Sequence, residues 1–207
     1  MYESYSIGDL MQTDIDKIIK LAKTHGVVSS EKLRLKNISP SLLCYMKNRN
    51  MLRRISRGQY VLPEYISSHE TFVEIASKIS HGVICLLSAL QFHELTTQMP
   101  NEVWIAIEKG RYYPRDLGNN VRLLQFSGIN FSFGIEKHDE NGIEIHVYSP
   151  AKTVVDCFRF RNKIGVDVAI EALRDCIRQK KATSDEIWES ARCCHMTKIM
   201  RPYLETM

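Results

Sequence analysis

No run of about 18 consecutive apolar residues occurs in the 207-residue chain, so the usual signature of a membrane-spanning helix is missing. The opening MYESYSIGDLMQTD has neither the basic start nor the apolar centre of a signal peptide. A cytoplasmic protein without a membrane partner is therefore expected. No C-x-x-C pair occurs among the six cysteines, Cys44, Cys85, Cys157, Cys176, Cys193 and Cys194, which argues against both a disulfide framework and a zinc finger. Cys193, Cys194 and His195 are adjacent, but vicinal cysteines rarely converge on one ion and no fourth ligand follows at helical spacing. No metal site is expected. Glycine-rich phosphate loops and nucleotide fingerprints are also missing, so no cofactor is expected.

Catalytic constellations are equally scarce. Ser88, His93 and Asp156 could form a triad by residue type, but Ser88 lacks the G-x-S-x-G elbow and reads better as a helix cap. Glu102, Glu108 and Glu144 fall on predicted strands, yet none precedes the alternating acid and lysine that would hold magnesium and a water. No catalytic residue is assigned and an enzyme is not expected.

Acids are nearly missing from one region: between Lys17 and Arg57 stand 11 basic residues and a single acid, Glu31. Residues 1–64 carry a net +5 and residues 65–207 a net −1, so the excess positive charge lies at the front. Such a block is either a solvated face or the footprint of a polyanion. The local pattern favours the second. DIDKIIKLAKTHG offers Thr13 and Asp14 as caps, an apolar stripe of Ile15, Ile18, Ile19 and Ala22, and a stop at Gly26. SSEKLRLKN predicts a short helix capped by Ser29 or Ser30. ISPSLLCYMKNRN predicts a third, with Ser39 as cap and Pro40 at its first position.

On that third helix Leu42, Leu43 and Met46 point one way, Ser41, Cys44, Tyr45 and Asn48 roughly the other, and Lys47 and Arg49 flank them. RRISRGQYVLP then reads as a hairpin turning at Arg57-Gly58, with Ser56 opposite Gln59, Ile55 opposite Tyr60 and Arg54 opposite Val61. Three helices followed by a cationic hairpin is the order of a winged helix-turn-helix, which would bind duplex DNA. Ser41, Tyr45, Lys47, Asn48 and Arg49 would face the groove, and Arg53, Arg54 and Arg57 the phosphates. A three-helix protein-interaction module with a basic surface is the competing expectation.

A domain boundary is expected near residue 64, where Pro63 ends the hairpin and a helix capped by Ser67 or Ser68 begins. In residues 65–207, VICLL, EVWIAIE, VRLLQF and IEIHVYS read as strands and SALQFHEL as a short helix capped by Ser88. The end reads as helices: PAKTVVDCFRFR with a stripe of Ala151, Val154, Val155 and Phe158, VDVAIEALRDCIRQ with Val166, Ile170, Leu173 and Ile177, and SDEIWESARCCH from Ser184. The expected class is α+β, an N-terminal winged helix-turn-helix followed by a mixed α+β domain ending in helices.

Three segments carry a resemblance: the R-G-Q-Y hairpin at 57–60, S-A-L-x-x-H at 88–93 and S-P-A-K-T-V-x-D at 149–156. With their surroundings, over about residues 15–178, they resemble the AbiEi abortive-infection antitoxins of bacterial type IV toxin–antitoxin systems. The resemblance implies a transcriptional autorepressor that binds inverted-repeat operators and is compatible with a dimer on DNA. It also implies a C-terminal domain that counteracts a nucleotidyltransferase-type toxin without a stable complex. Ser149, Lys152, Thr153 and Asp156 are the candidates for that role, with Lys152 and Asp156 expected to face outward from their helix; the competing expectation is that Ser149 merely caps the helix and Lys152 pairs with Asp156 four residues on. Two alternatives stand beside it: a plain regulator whose second domain senses a ligand or dimerises, and a nuclease guided by the winged helix.

Overall fold

The computed structural model describes residues 7–64, 70–98, 100–114, 117, 120–140 and 143–206. The chain is mixed α+β with two sheets. It divides into two compact units, one of the described residues up to Ser77 with Asp139, Glu140 and Ile143, the other of the remaining described residues.

The first unit begins with α1 (Ile7–His25), which buries Ile15, Ile18 and Ala22. Thr13 and Asp14 lie inside this helix and do not cap it, because the helix begins at Ile7, further toward the N-terminus than the expected start. A strand the sequence reading did not separate, β1 (Val27–Ser29), leads into α2 (Ser30–Leu35). Ser29 caps α2 by accepting the Lys32 N–H at 3.1 Å. Then come α3 (Ser41–Asn48), β2 (Arg53–Ser56), β3 (Gln59–Val61) and α4 (Glu70–Lys78). The expected caps Ser67 and Ser68 of α4 lie outside the described residues.

The strands form an antiparallel sheet in the order β1-β3-β2. Ser56 does face Gln59, but a bulge then places Arg54 opposite Tyr60 and Arg53 opposite Val61, one residue away from the expected register. The extra residue is Ile55, and the bulge lets it remain buried although it has no ladder partner. Gly58 takes φ +78° at the turn, a conformation that favours glycine, and its carbonyl accepts the Ser30 N–H at 2.9 Å. The core joins Ile18, Leu33, Leu43, Met46, Leu52 and Tyr60 from both helices and sheet.

Apart from Asp139, Glu140 and Ile143 at the end of β7 and the start of β8, the second unit holds a five-stranded mixed sheet, β6-β5-β4-β8-β7, built from β4 (Val83–Ile84), β5 (Val103–Glu108), β6 (Val121–Phe126), β7 (Ile135–Glu140) and β8 (Ile143–Tyr148). Strand β4 is shorter than the apolar run VICLL implied, because Leu86 and Leu87 already belong to α5 (Leu86–Phe92). Cys85 occupies the cap position of α5, and Ser88 lies within the helix, its hydroxyl accepting the Trp104 N–H at 2.9 Å. Strand β7 was also missed: IEKHDE is too polar to show a buried alternation, as suits an edge strand.

After the sheet come α7 (Pro150–Arg159), preceded by the four-residue α6 (Ile129–Ser132), then α8 (Arg161–Ile164), α9 (Val166–Arg178), α10 (Ser184–Cys193) and α11 (Thr197–Leu204). Helix α10 begins with a capping box between Thr183 and Glu186. Helix α9 buries Ala169, Ala172, Leu173 and Cys176, and leaves Val166 exposed. Of the expected stripe, Leu173 is buried and Ile170 and Ile177 pack against the same core, while the small Ala169, Ala172 and Cys176 let α9 approach α7 closely.

Candidate functional site

Helix α3 carries the first candidate site. Leu43 and Met46 are buried and Leu42 packs against the same core, so the opposite face is turned outward. Ser41, Lys47, Asn48 and Arg49 are exposed and Tyr45 is half-buried. The Arg49 guanidinium lies 4.9 Å from the Tyr45 ring centroid, a cation–π contact that holds both side chains along one edge. Ser39 makes no side-chain cap to the helix: its hydroxyl is 2.7 Å from the Ser41 hydroxyl. Pro40 is the cap residue, so the helix begins one residue later than expected. No carboxylate stands on α3. Arg57 is exposed at the hairpin turn, and Arg53 and Arg54 are exposed on β2. These residues combine hydrogen-bonding groups with cations, and α3 itself carries no acid.

The second candidate set, Ser149, Lys152, Thr153 and Asp156, is brought together over the first turns of α7, but not as expected. Lys152, Thr153 and Asp156 are fully buried, so the outward orientation predicted for Lys152 and Asp156 is wrong. One apolar stripe implied one buried side, whereas α5, α9, α10 and α11 all pack on α7 and every residue from Ala151 to Phe158 is buried. The Lys152 ammonium pairs with the Asp156 carboxylate and lies 4.3 Å from the Tyr148 ring centroid and 5.3 Å from that of Phe126. Arg159 Nε stands 3.7 Å from the other Asp156 oxygen, and its guanidinium donates to Asn130 Oδ1 at 2.9 Å and to the Cys194 carbonyl. Burial raises the Asp156 carboxyl above its ordinary range, with Lys152 and Arg159 pulling it back. Arg159 stands three residues after Asp156 on the same helix, a spacing visible in the sequence, whereas Phe126, Asn130 and Tyr148 come from separate elements and gave no such signal.

Ser149 caps α7, its hydroxyl accepting the Lys152 N–H at 3.3 Å, and the Thr153 hydroxyl donates to the Tyr148 carbonyl at 3.1 Å. Gly134 packs against this turn. Its φ is +72°, and a Cβ there would lie 2.8 Å from the Lys152 Cβ. Of the four candidates only Ser149 lines the adjoining cleft of about 510 Å³, together with Glu136, Lys181, Asp185, Glu189 and Ser190.

The residues weighed for catalysis are dispersed. Ser88 is committed to the Trp104 backbone, and His93 Nε2 is 2.7 Å from the Tyr148 carbonyl, its pKa lowered by burial. Burial pushes the Cys85, Cys157 and Cys194 thiols up, which keeps them protonated and unreactive. Glu102, Glu108 and Glu144 each face a cation, Arg122 at 3.3 Å, Arg111 at 3.7 Å and Lys137 at 3.0 Å. Among the described residues no group of three or more His, Cys, Asp or Glu side chains is placed to hold a metal ion, and no helix is long and apolar enough to cross a membrane. Comparison with protein-family models and with curated proteins finds no match for the chain.

Proposed function

We propose that the chain is a winged-helix DNA-binding autorepressor and the antitoxin of a type IV toxin–antitoxin pair. The observation that carries the DNA half is the acid-free outer face of α3, with Ser41, Tyr45 and Asn48 between Lys47 and Arg49, in a unit whose β2–β3 hairpin presents Arg57. In this reading α3 enters the major groove, where Asn48 is suited to a bidentate contact with adenine, and Arg53, Arg54 and Arg57 grip phosphates. The antitoxin half rests on the S-A-L-x-x-H and S-P-A-K-T-V-x-D segments and their resemblance to AbiEi antitoxins. Burial of Lys152, Thr153 and Asp156 makes them supports of the second unit's core, and leaves Ser149 as the candidate able to meet another molecule.

The test is in two parts. Titration of the full chain with duplex DNA from its own promoter and with random duplex, at several salt concentrations, should give tighter binding to the promoter. Co-expression with the nucleotidyltransferase-type neighbour should protect cells, and a fragment of residues 65–207, the expected second domain, shown to be folded by circular dichroism, should protect without binding the promoter. Equal affinity for both duplexes would reject the repressor reading, and no protection by the full chain would reject the antitoxin reading.

One observation favours a second reading. The cleft of about 510 Å³ beside Ser149 is of the size that takes a small molecule, as in a plain regulator with a ligand-sensing domain. Protection of cells by the chain would not follow from that reading.

A further inference from the structure

Two hollows on the first unit share Leu21 and Lys36 in their lining. One, of about 350 Å³, is lined by Leu21, Val27, Val28, Leu35, Lys32 and Lys36, with His25 at its side. The other, of about 480 Å³, is lined by Lys17, Lys20, Thr24, Ile38 and again Leu21 and Lys36. The shared residues join them into one groove along α1, β1 and α2. None of Ser41, Tyr45, Lys47, Asn48, Arg49, Arg53, Arg54 or Arg57 lines it.

The groove's chemistry is distinctive. Its floor is aliphatic, and Leu35, at 81% exposure, stands at its edge as one of the two most exposed large apolar side chains among the described residues. Its charged lining is of one sign, Lys17, Lys20, Lys32 and Lys36, with no Asp or Glu among the described lining residues. Lys17 is met by Asp14 at 2.9 Å from the same helix. A phosphate backbone has nothing to gain from an aliphatic floor or from Leu35. A second copy of the same face would bring lysines against lysines, which opposes a symmetric dimer through it.

We propose that this groove docks an acidic amphipathic segment of a partner protein. Apolar side chains of that segment cover Leu21 and Leu35, and its carboxylates meet Lys20, Lys32 and Lys36. Part of the basic block between Lys17 and Arg57 then serves protein recognition, so the block is two surfaces and not one footprint. Helix-in-groove recognition has this form, with anchors at i, i+3 and i+4. The inference stands apart from the DNA reading, since it uses different residues.

The test uses the full chain and a labelled peptide of about sixteen residues in which Leu recurs at helical spacing among Glu. A second peptide has the same composition with its leucines scattered around the helix. The striped peptide is expected to bind more tightly than the scattered one, and Leu35→Ser and Lys32→Gln/Lys36→Gln each to weaken it roughly tenfold. Leu35 is exposed, so its replacement leaves the core intact, and circular dichroism checks this. Leu35→Ser should leave binding to duplex DNA unchanged. Equal binding of the two peptides, or no effect of Leu35→Ser, reduces the groove to plain charge attraction and overturns the proposal. Loss of DNA affinity in Leu35→Ser assigns the surface to nucleic acid, and a dimer that Leu35→Ser dissociates in sedimentation assigns it to a second copy; either result overturns it as well.

Discussion

Lys152 and Asp156 form an ion pair that is fully buried, one helical turn apart on α7, with the ammonium against the faces of Tyr148 and Phe126. Removing one partner strands the other charge in the core. Lys152→Ala or Asp156→Ala is expected to cost about 3–5 kcal/mol in denaturant unfolding. The double variant Lys152→Met/Asp156→Leu should cost much less, because neither charge remains. Single variants that lose under about 1 kcal/mol would show that water reaches the pair. Any loss of the proposed antitoxin activity in either single variant must therefore be read beside its stability.

Gly134 predicts a contrast with another glycine. Both Gly134 and Gly110 have positive φ, +72° and +85°, but a Cβ at Gly134 meets Lys152 and Ser149 whereas at Gly110 it meets nothing within 4 Å. Gly110→Ala should cost about 1 kcal/mol, the conformational part alone. Gly134→Ala adds a clash with the backbone-proximal part of Lys152 and should unfold at clearly lower denaturant. Equal midpoints would mean that α7 shifts freely.

His93 gives a pH dependence. Its folded pKa is below the ordinary 6.5 because burial disfavours the imidazolium. Below pH 6.5 the unfolded chain takes up a proton that the folded chain does not. Stability contributed by neutral His93 is thus present above 6.5 and is lost as pH falls from 6.5 toward the folded pKa, at no more than about 1.4 kcal/mol per pH unit. Unfolding of the wild type and His93→Gln across pH 7.5 to 5, a window of roughly a unit either side of the ordinary pKa, should show a flatter profile in the variant. Parallel profiles would place the ring in water.

On DNA, Asn48→Ala should cost about 1–3 kcal/mol at the preferred site and much less on random duplex. Equal loss on both would make Asn48 a positioning residue. Each of Arg53→Ala, Arg54→Ala and Arg57→Ala should weaken binding to all sequences and lower the salt slope by roughly 0.9. An unchanged slope in the triple variant would remove the hairpin from the interface.

Local signals were legible in the chain because they act within a few residues. Ser29 before α2, the inward Leu43 and Met46 of α3, Gly58 at the hairpin, and the stripe Ala151, Val154, Val155 and Phe158 of α7 all follow from capping, helical period and turn chemistry. The four expected strands of the second unit lie in its sheet for the same reason. What depends on remote partners was not legible. The Ile55 bulge is set by β3, the polar edge strand β7 by its pairing with β8, and the burial of Lys152 and Asp156 by four helices that close around α7. A charged pair four residues apart looks the same in sequence whether it lies in water or in a core. Only the surrounding helices decide which, because desolvation depends on everything nearby and not on spacing along the chain.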